Sequence, residues 1–192
     1  MAIGETNARK MDDYLRAVRE VAKLFQTDTV YVIGSQAILA HWPDAPKRLR
    51  LSHEIDAYPA NAREWERLNP GAEASEEINA LFGQGSLFEQ RFGFYIDGVD
   101  DTTARFPPDW LGRAKTMKID CEGRTITAIS PSLEDTVVAK LARLDPRDRE
   151  FIAEVHAARP LTIKRLLSLF TSTAPHPMLL QQAEQFLAGL KG

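Results

Sequence analysis

The chain has 192 residues, 44% of them hydrophobic, which is enough for a globular protein with a real core. Its formal net charge of −3 argues against a broadly basic nucleic-acid surface, so an RNA partner would need a local patch such as the basic residues at 47–50. The single cysteine, Cys121, excludes an internal disulfide, and the four histidines lack the spacing of a zinc site.

The sequence gives no sign of a membrane segment or a secretion signal. Its apolar runs are far shorter than the roughly 20 residues that a membrane-spanning helix needs. Residues 1–19 are polar and charged, unlike a signal peptide. We therefore expect a cytoplasmic protein with no membrane partner.

The first predicted elements alternate between helix and strand. Apolar residues at helical spacing over residues 7–26 predict an amphipathic packing helix. The β-branched run at residues 29–33 predicts the first strand. Gly34 and Ser35 then form a tight turn, and Ser35 is expected to open a helix that continues through residues 37–40.

A second strand, predicted at residues 52–58, carries two acidic side chains. Glu54 and Asp56 are two positions apart, so the pleat directs both carboxylates to one face of the sheet. Ile55 and Ala57 point to the other face, which can therefore be buried. Pro59 follows the strand and ends it, because proline cannot donate to the ladder.

The rest of the chain predicts more strands and then only helices. Glu122 and Gly123 are expected to join two strands as a hairpin, and proline-containing breaks separate the last helices. The predicted elements are helices at 61–68 and 72–82, strands at 92–99, 114–121 and 124–129, and helices at 133–144, 146–158, 162–171 and 177–190. This pattern predicts an α+β fold, with a mixed β-sheet and flanking helices in residues 1–130 and a C-terminal helical region in residues 131–192.

The paired carboxylates suggest a metal site. Two neighbouring carboxylates repel each other unless a cation lies between them or one takes up a proton. Mg²⁺ is commonly held by one or two carboxylates together with substrate phosphates. Gly34 allows a close backbone approach, and the start of a helix at Ser35 would attract phosphate. The alternatives are that Glu54 and Asp56 are solvent-facing charges on an edge strand and that Ser35 is an ordinary capping residue.

These motifs resemble those of the nucleotidyltransferase superfamily, in which a Gly-Ser turn is followed by an acidic-x-acidic strand. The match covers Gly34, Ser35 and residues 54–56. Residues 131–143 (PSLEDTVVAKLAR), followed by Arg147 and Asp148, are similar to the corresponding helices of AbiEii-like toxin nucleotidyltransferases and related bacterial proteins. The segments 94–99 and 106–113 also resemble parts of that group.

The resemblance implies a third carboxylate, supplied by a neighbouring strand as a base or an additional metal ligand. Asp97 is the best candidate for it. Because Asp97 precedes Gly98, the alternative is an aspartate in a turn at the end of a strand. Asp120, on a predicted hairpin strand, is the second choice for the third carboxylate.

The resemblance also implies that Lys140 contacts nucleotide phosphates, with Arg143 on the same helix face at i+3. A solvated helix lysine is the alternative. Asp148 has a structural explanation of its own as the third residue of a helix that Asp145 caps. The toxin-like pattern often has an acidic residue three positions after Asp148, where this chain has Phe151.

The implied activity is a Mg²⁺- or Mn²⁺-dependent transfer of a nucleotide from an NTP to an acceptor hydroxyl on RNA, protein or a small molecule. In this interpretation Glu54 and Asp56 hold the metal, and Asp97 helps to activate the acceptor. Gly34, Ser35, Lys140 and Arg143 are then expected to hold the triphosphate, with the C-terminal helices closing one side of the cleft. The alternative is a non-catalytic nucleotide- or partner-binding module of a toxin–antitoxin or defence pair.

Overall fold

A computed structural model describes residues 7–190, so the chain termini at residues 1–6 and 191–192 lie outside the described residues. The chain divides into two compact units. Within the described residues, the first unit comprises residues 7–103 and 115–130, and the second comprises residues 104–114 and 131–190. In the part that the structure describes, no helix is long and apolar enough to cross a membrane.

The first unit contains a five-stranded mixed sheet in the order β3-β2-β1-β5-β4. Strands β1 and β2 are antiparallel, β1 and β5 are parallel, β2 and β3 are parallel, and β4 and β5 form an antiparallel hairpin. The bounds of the strands are Thr29–Ile33 (β1), Glu54–Pro59 (β2), Tyr95–Gly98 (β3), Lys115–Cys121 (β4) and Arg124–Ser130 (β5). The α+β prediction, with a mixed sheet and flanking helices, is confirmed.

Five helices of the first unit connect or cover these strands. Their bounds are Met11–Phe25 (α1), Ile38–His41 (α2), Ala62–Leu68 (α3), Ala74–Phe82 (α4) and Leu87–Phe92 (α5). The buried face of α1 packs in one hydrophobic cluster with the core-facing side chains of the sheet. Fully buried members of this cluster are Tyr14, Val18 and Val21 from α1 and Val30, Val32, Ile55, Ala57 and Ile96 from the strands. The predicted burial of Ile55 and Ala57 is therefore confirmed.

Residues 87–99 of the first unit differ from the sequence prediction. The expected strand over residues 92–99 is shorter, because α5 occupies Leu87–Phe92 and β3 begins only at Tyr95. Ser86 caps α5 by accepting a hydrogen bond from the backbone N–H of Glu89 at 3.2 Å. Gly93 ends the helix with a positive φ of 72°. A serine cap and a glycine stop thus override the apolar pattern at this point.

The second unit consists of helices α6 to α9 and the segment 104–114. The helices span Leu133–Leu141 (α6), Pro146–Ala158 (α7), Ile163–Ser172 (α8) and Pro177–Ala188 (α9). Arg113 ties the segment to α6, since its Nη2 and Nε atoms donate to both carboxylate oxygens of the buried Asp135 at 2.7 and 3.1 Å. Asp145 caps α7 by accepting from the N–H of Asp148, which confirms the predicted helix start.

Candidate active site

Strand register brings three carboxylates to one face of the sheet. Asp56 on β2 lies opposite Asp97 on β3, and Glu54 lies opposite Tyr95. Residues directly opposite each other on paired strands point to the same side, and so do residues two positions apart on one strand. Glu54, Asp56 and Asp97 therefore share the face opposite the one that packs on α1.

The turn after β1 meets this acidic face at Gly34. Ile33, the last residue of β1, pairs with Asp56. A Cβ atom at residue 34 would overlap the Oδ2 atom and the carboxyl carbon of Asp56, so the carboxylate lies directly over the Gly34 backbone. The Gly34 backbone also has φ 68° and ψ −162°, a region that only glycine occupies readily. The predicted proximity of the acidic strand to the turn is confirmed, while the roles of these residues stay predictions.

The helix after the turn is shorter than a phosphate-binding helix would need to be. A 3₁₀ turn at Ser35–Ala37 is followed by α2, a single turn of α-helix. So short a segment has only a small dipole, and little of the expected electrostatic attraction for phosphate can come from it. Gln36, which is buried, places its Nε2 atom 3.4 Å from Ser35 Oγ and 3.3 Å from the Leu49 carbonyl oxygen.

The charges on the acidic face influence one another. Burial raises the pKa of Asp97 above its ordinary value, and the nearby Glu54 carboxylate raises it further. The Tyr95 hydroxyl donates a hydrogen bond to Glu54 Oε2 at 2.8 Å. Burial raises the pKa of Tyr95, and the Glu54 hydrogen bond and the charges of Glu54, Asp97 and Asp56 raise it further. These four side chains thus form one coupled group.

Asp97 lies within β3 and is not a turn residue. The glycine after it has a packing role, because a Cβ atom at residue 98 would overlap the Ser75 carbonyl oxygen of α4. The Gly98 N–H also donates to Asn79 Oδ1 at 2.8 Å. Gly98 is therefore explained by the close approach of α4 to β3, and the alternative of a turn aspartate at position 97 is wrong.

The donor chemistry of this face suits a hard cation that phosphates also coordinate. Among the described residues, no group of three or more His, Cys, Asp or Glu side chains is arranged to hold a metal ion. Mg²⁺, however, is usually bound by one or two carboxylates plus phosphate oxygens and water. Glu54 and Asp56 supply two carboxylates on one face, and Asp56 lies against the backbone of Gly34.

A family profile described as a nucleotidyltransferase of unknown function (DUF6036) matches residues 12–185. The chain belongs to this nucleotidyltransferase family. The match spans both units and includes every candidate residue, from Gly34 to Arg143. The suspected relationship to nucleotidyltransferases is therefore confirmed. No curated protein and no solved structure matches the chain.

The two residues predicted to contact phosphate, Lys140 and Arg143, lie in the second unit. Lys140 is only 9% exposed, and its Nζ atom bonds Asp148 Oδ1 at 2.8 Å. The Nε and Nη2 atoms of Arg143 each bond the same carboxylate at 3.0 Å. Phe151, at the position where the toxin-like pattern often has an acid, places its ring 4.7 Å from Lys140 Nζ. Lys140 is therefore not a solvated helix lysine.

The second-choice carboxylate, Asp120, lies far from the acidic strands. Asp120 is on β4, at the opposite edge of the sheet from β3. Strands β1 and β5 separate β4 from β2, which corresponds to about 14 Å at the usual strand spacing. Asp97, which faces Asp56 directly, is thus the better placed third carboxylate.

Tyr95 belongs to this site but was not among the residues predicted from the sequence. A signal was present, since Tyr95 and Asp97 have the same two-residue spacing as Glu54 and Asp56 and therefore share one face of β3. The register between β2 and β3 could not be predicted from the sequence. That register places the Tyr95 hydroxyl on Glu54.

Proposed function

We propose that this family member catalyses the metal-dependent transfer of a nucleotide from an NTP to an acceptor hydroxyl. The observation that carries the proposal is the position of Asp56, which faces Asp97 across paired strands and packs directly on Gly34. The carboxylates therefore lie next to the turn at Gly34, where the backbone carries no side chain. That combination suits a metal and a triphosphate together.

Glu54 and Asp56 are the proposed metal ligands. Their shared face lets one cation contact both carboxylates, which relieves the repulsion between them. Mg²⁺ or Mn²⁺ held by these two carboxylates would supply positive charge that neutralises the charge developing on the phosphates during transfer. Because Asp56 packs on the backbone of Gly34, that contact helps to fix the position of its carboxylate.

Asp97 is the proposed base. The acceptor oxygen attacks the α-phosphorus, the bond from that phosphorus to the bridging oxygen breaks, and pyrophosphate leaves. Asp97 takes the proton that the acceptor hydroxyl loses. Burial and the Glu54 charge raise the pKa of Asp97, which makes its carboxylate a stronger base than an ordinary aspartate.

Gly34 and Ser35 are the proposed contacts for the triphosphate in the first unit. Ser35 adds a hydroxyl donor. Gly34 is kept as a contact on the strength of the family resemblance, since the Asp56 carboxylate fills the space beside its Cα atom. Lys140 and Arg143 are retained as proposed phosphate ligands on the strength of the family resemblance. Both are bound to Asp148, so a phosphate would compete with that carboxylate for their donors.

A non-catalytic nucleotide- or partner-binding module, such as one half of a toxin–antitoxin pair, is the second candidate. The observation that favours it is Phe151, whose ring packs beside Lys140 where the toxin-like pattern often has an acid. Such a module would bind an NTP or a protein partner without transferring a nucleotide.

Calorimetry with an NTP tests the proposed site. We expect the wild-type protein to bind ATP or another NTP more tightly with Mg²⁺ than without it. Asp56→Asn should abolish the gain from Mg²⁺, because it removes one charged metal ligand and keeps the side-chain size. Asp120→Asn is the matched control, and it should bind like the wild type. Loss of the Mg²⁺ effect in both variants, or in neither, would contradict the assignment.

A further inference from the structure

Tyr95 is joined to the acidic site through Glu54. The two residues lie opposite each other on β2 and β3, and the Tyr95 hydroxyl donates to Glu54 Oε2 at 2.8 Å. Among the described residues, no other group donates a hydrogen bond to the Glu54 carboxylate. The hydrogen bond from Tyr95 therefore holds the Glu54 carboxylate at Oε2 and leaves Oε1 without a protein donor among the described residues.

We propose that Tyr95 is a positioning residue for the proposed nucleotidyl transfer, an inference that rests on the metal role of Glu54. The Tyr95 hydroxyl holds Oε2, and Glu54 then presents Oε1 for the metal on the face that it shares with Asp56. Tyr95 does not contact the metal or the substrate in this assignment. It acts through Glu54 alone.

The physical need for such a residue comes from the length and charge of Glu54. A glutamate side chain has three rotatable bonds, and holding it in one conformation costs entropy. The negative charges of Asp56 and Asp97 on the same face also repel an ionised Glu54. A hydrogen bond to one carboxylate oxygen opposes both effects, because bonds to ionised acceptors are stronger than neutral ones.

A tyrosine is better suited to this task than a basic side chain. A lysine or arginine at position 95 would donate to Glu54 as well, but its positive charge would compete with the cation. The phenol donates without adding charge. A phenol has an ordinary pKa of about 10, so it is a hydrogen-bond donor at neutral pH.

Tyr95→Phe is the direct test, since it removes the hydroxyl and keeps the ring. The measurement is a titration of the full-length protein with Mn²⁺, in which the free ion is followed by electron paramagnetic resonance. Removing an outer partner of a metal ligand typically weakens metal affinity about 10–100-fold, and we expect a loss in that range. Tyr58→Phe is the matched control, because Tyr58 lies on β2 two residues after Asp56 and makes no hydrogen bond to Glu54.

A rescue variant separates positioning from a loss of structure. Replacement of Tyr95 by 4-aminophenylalanine keeps a neutral donor at the same place on the ring. We expect it to restore most of the Mn²⁺ affinity that Tyr95→Phe loses. A merely structural role would instead lower the thermal midpoint of the metal-free protein and leave the Mn²⁺ affinity of the folded fraction unchanged.

The outcomes distinguish this inference from the proposed function. Mn²⁺ binding in the wild type, its loss in Asp56→Asn and wild-type affinity in Tyr95→Phe would overturn the role of Tyr95 and leave the metal site standing. Failure of the 4-amino variant to recover affinity would also overturn it. If the wild type binds Mn²⁺ neither alone nor together with an NTP, the proposed function fails and the inference fails with it.

Discussion

The carboxylate of Asp56 occupies the space into which a side chain at residue 34 would project, so Gly34 and Asp56 fit together only because residue 34 has no Cβ atom. The relationship links the turn after β1 to the acidic strand β2. Glycine is also required at residue 34 for a second reason, because the backbone conformation there is one that other residues rarely adopt.

Gly34→Ala should therefore damage both the fold and the site. Backbone strain of this kind costs about 1–3 kcal/mol, and the overlap with Asp56 adds to it and displaces the carboxylate. Gly71→Ala is the matched control, because Gly71 has φ 88° and open space around its Cα. It should lose about 1 kcal/mol and keep metal binding. Urea denaturation and Mn²⁺ titration measure the two effects, and Mn²⁺ affinity that is unchanged in Gly34→Ala would contradict the geometry.

The raised pKa of Asp97 predicts a pH-dependent effect on stability. A carboxyl group whose folded pKa lies above its unfolded value contributes most to stability at low pH, and that contribution is lost as the pH rises through the folded pKa. In Asp97→Asn the side chain at position 97 carries no charge at any pH. It should therefore be more stable than the wild type at pH 7, with a difference that shrinks as the pH falls toward 4.

Urea denaturation of the wild type and Asp97→Asn at both pH values measures this difference. Asp120→Asn, on the exposed edge strand, controls for the effect of an Asp-to-Asn change itself. A destabilised Asp97→Asn at pH 7 would show that Asp97 has a favourable charged partner. That result would contradict the assignment of its raised pKa to burial and to the Glu54 charge.

The ion pair between Lys140 and Asp148 lets an effect on protein stability be distinguished from an effect on nucleotide binding. Each single substitution, Lys140→Ala or Asp148→Asn, breaks the same buried ion pair, and such losses typically cost about 3–5 kcal/mol. Arg143 still contacts Asp148 in the first variant, which places the expected loss near the lower end of that range. Both variants should unfold at lower urea concentrations than the wild type.

Only Lys140→Ala removes a cation that a phosphate can contact. If Lys140 is a triphosphate ligand, NTP affinity should fall by about 1.5–3 kcal/mol in Lys140→Ala. It should stay at the wild-type value or rise in Asp148→Asn, which removes the charge that competes with phosphate for the Lys140 donor. Calorimetry with the folded variants decides between the roles. Equal affinities in the two variants would assign Lys140 to the structure of the second unit alone.

Local signals in the sequence were sufficient for much of the fold. The Gly34 turn, the alternation around Glu54 and the Asp145 cap are each encoded within a few residues, and the structure has all three. Helix α5 at Leu87–Phe92 had a local signal as well, in the Ser86 cap and the Gly93 stop, which was not used in the prediction. The strand predicted for residues 92–99 is present but begins only at Tyr95.

Contacts between segments that are far apart in the chain could not be predicted from the sequence. The pairing of Asp56 with Asp97 depends on a parallel register between β2 and β3, and helices α3 to α5 lie between these strands in the chain. No local pattern sets such a register. The burial of Lys140 against Asp148 likewise depends on how α6 packs on α7. The residue types at these positions were visible, but their partners were not.

The most direct test of the account is nucleotide transfer by the wild type, Asp56→Asn and Asp120→Asn. Each protein is incubated with labelled NTPs, Mg²⁺ and a mixed pool of cellular RNA and protein, after circular dichroism has shown that it is folded. Labelled product is expected with the wild type and Asp120→Asn, and none above background with Asp56→Asn. Absence of label with the wild type, despite measured NTP binding, or equal labelling by Asp56→Asn, would contradict it.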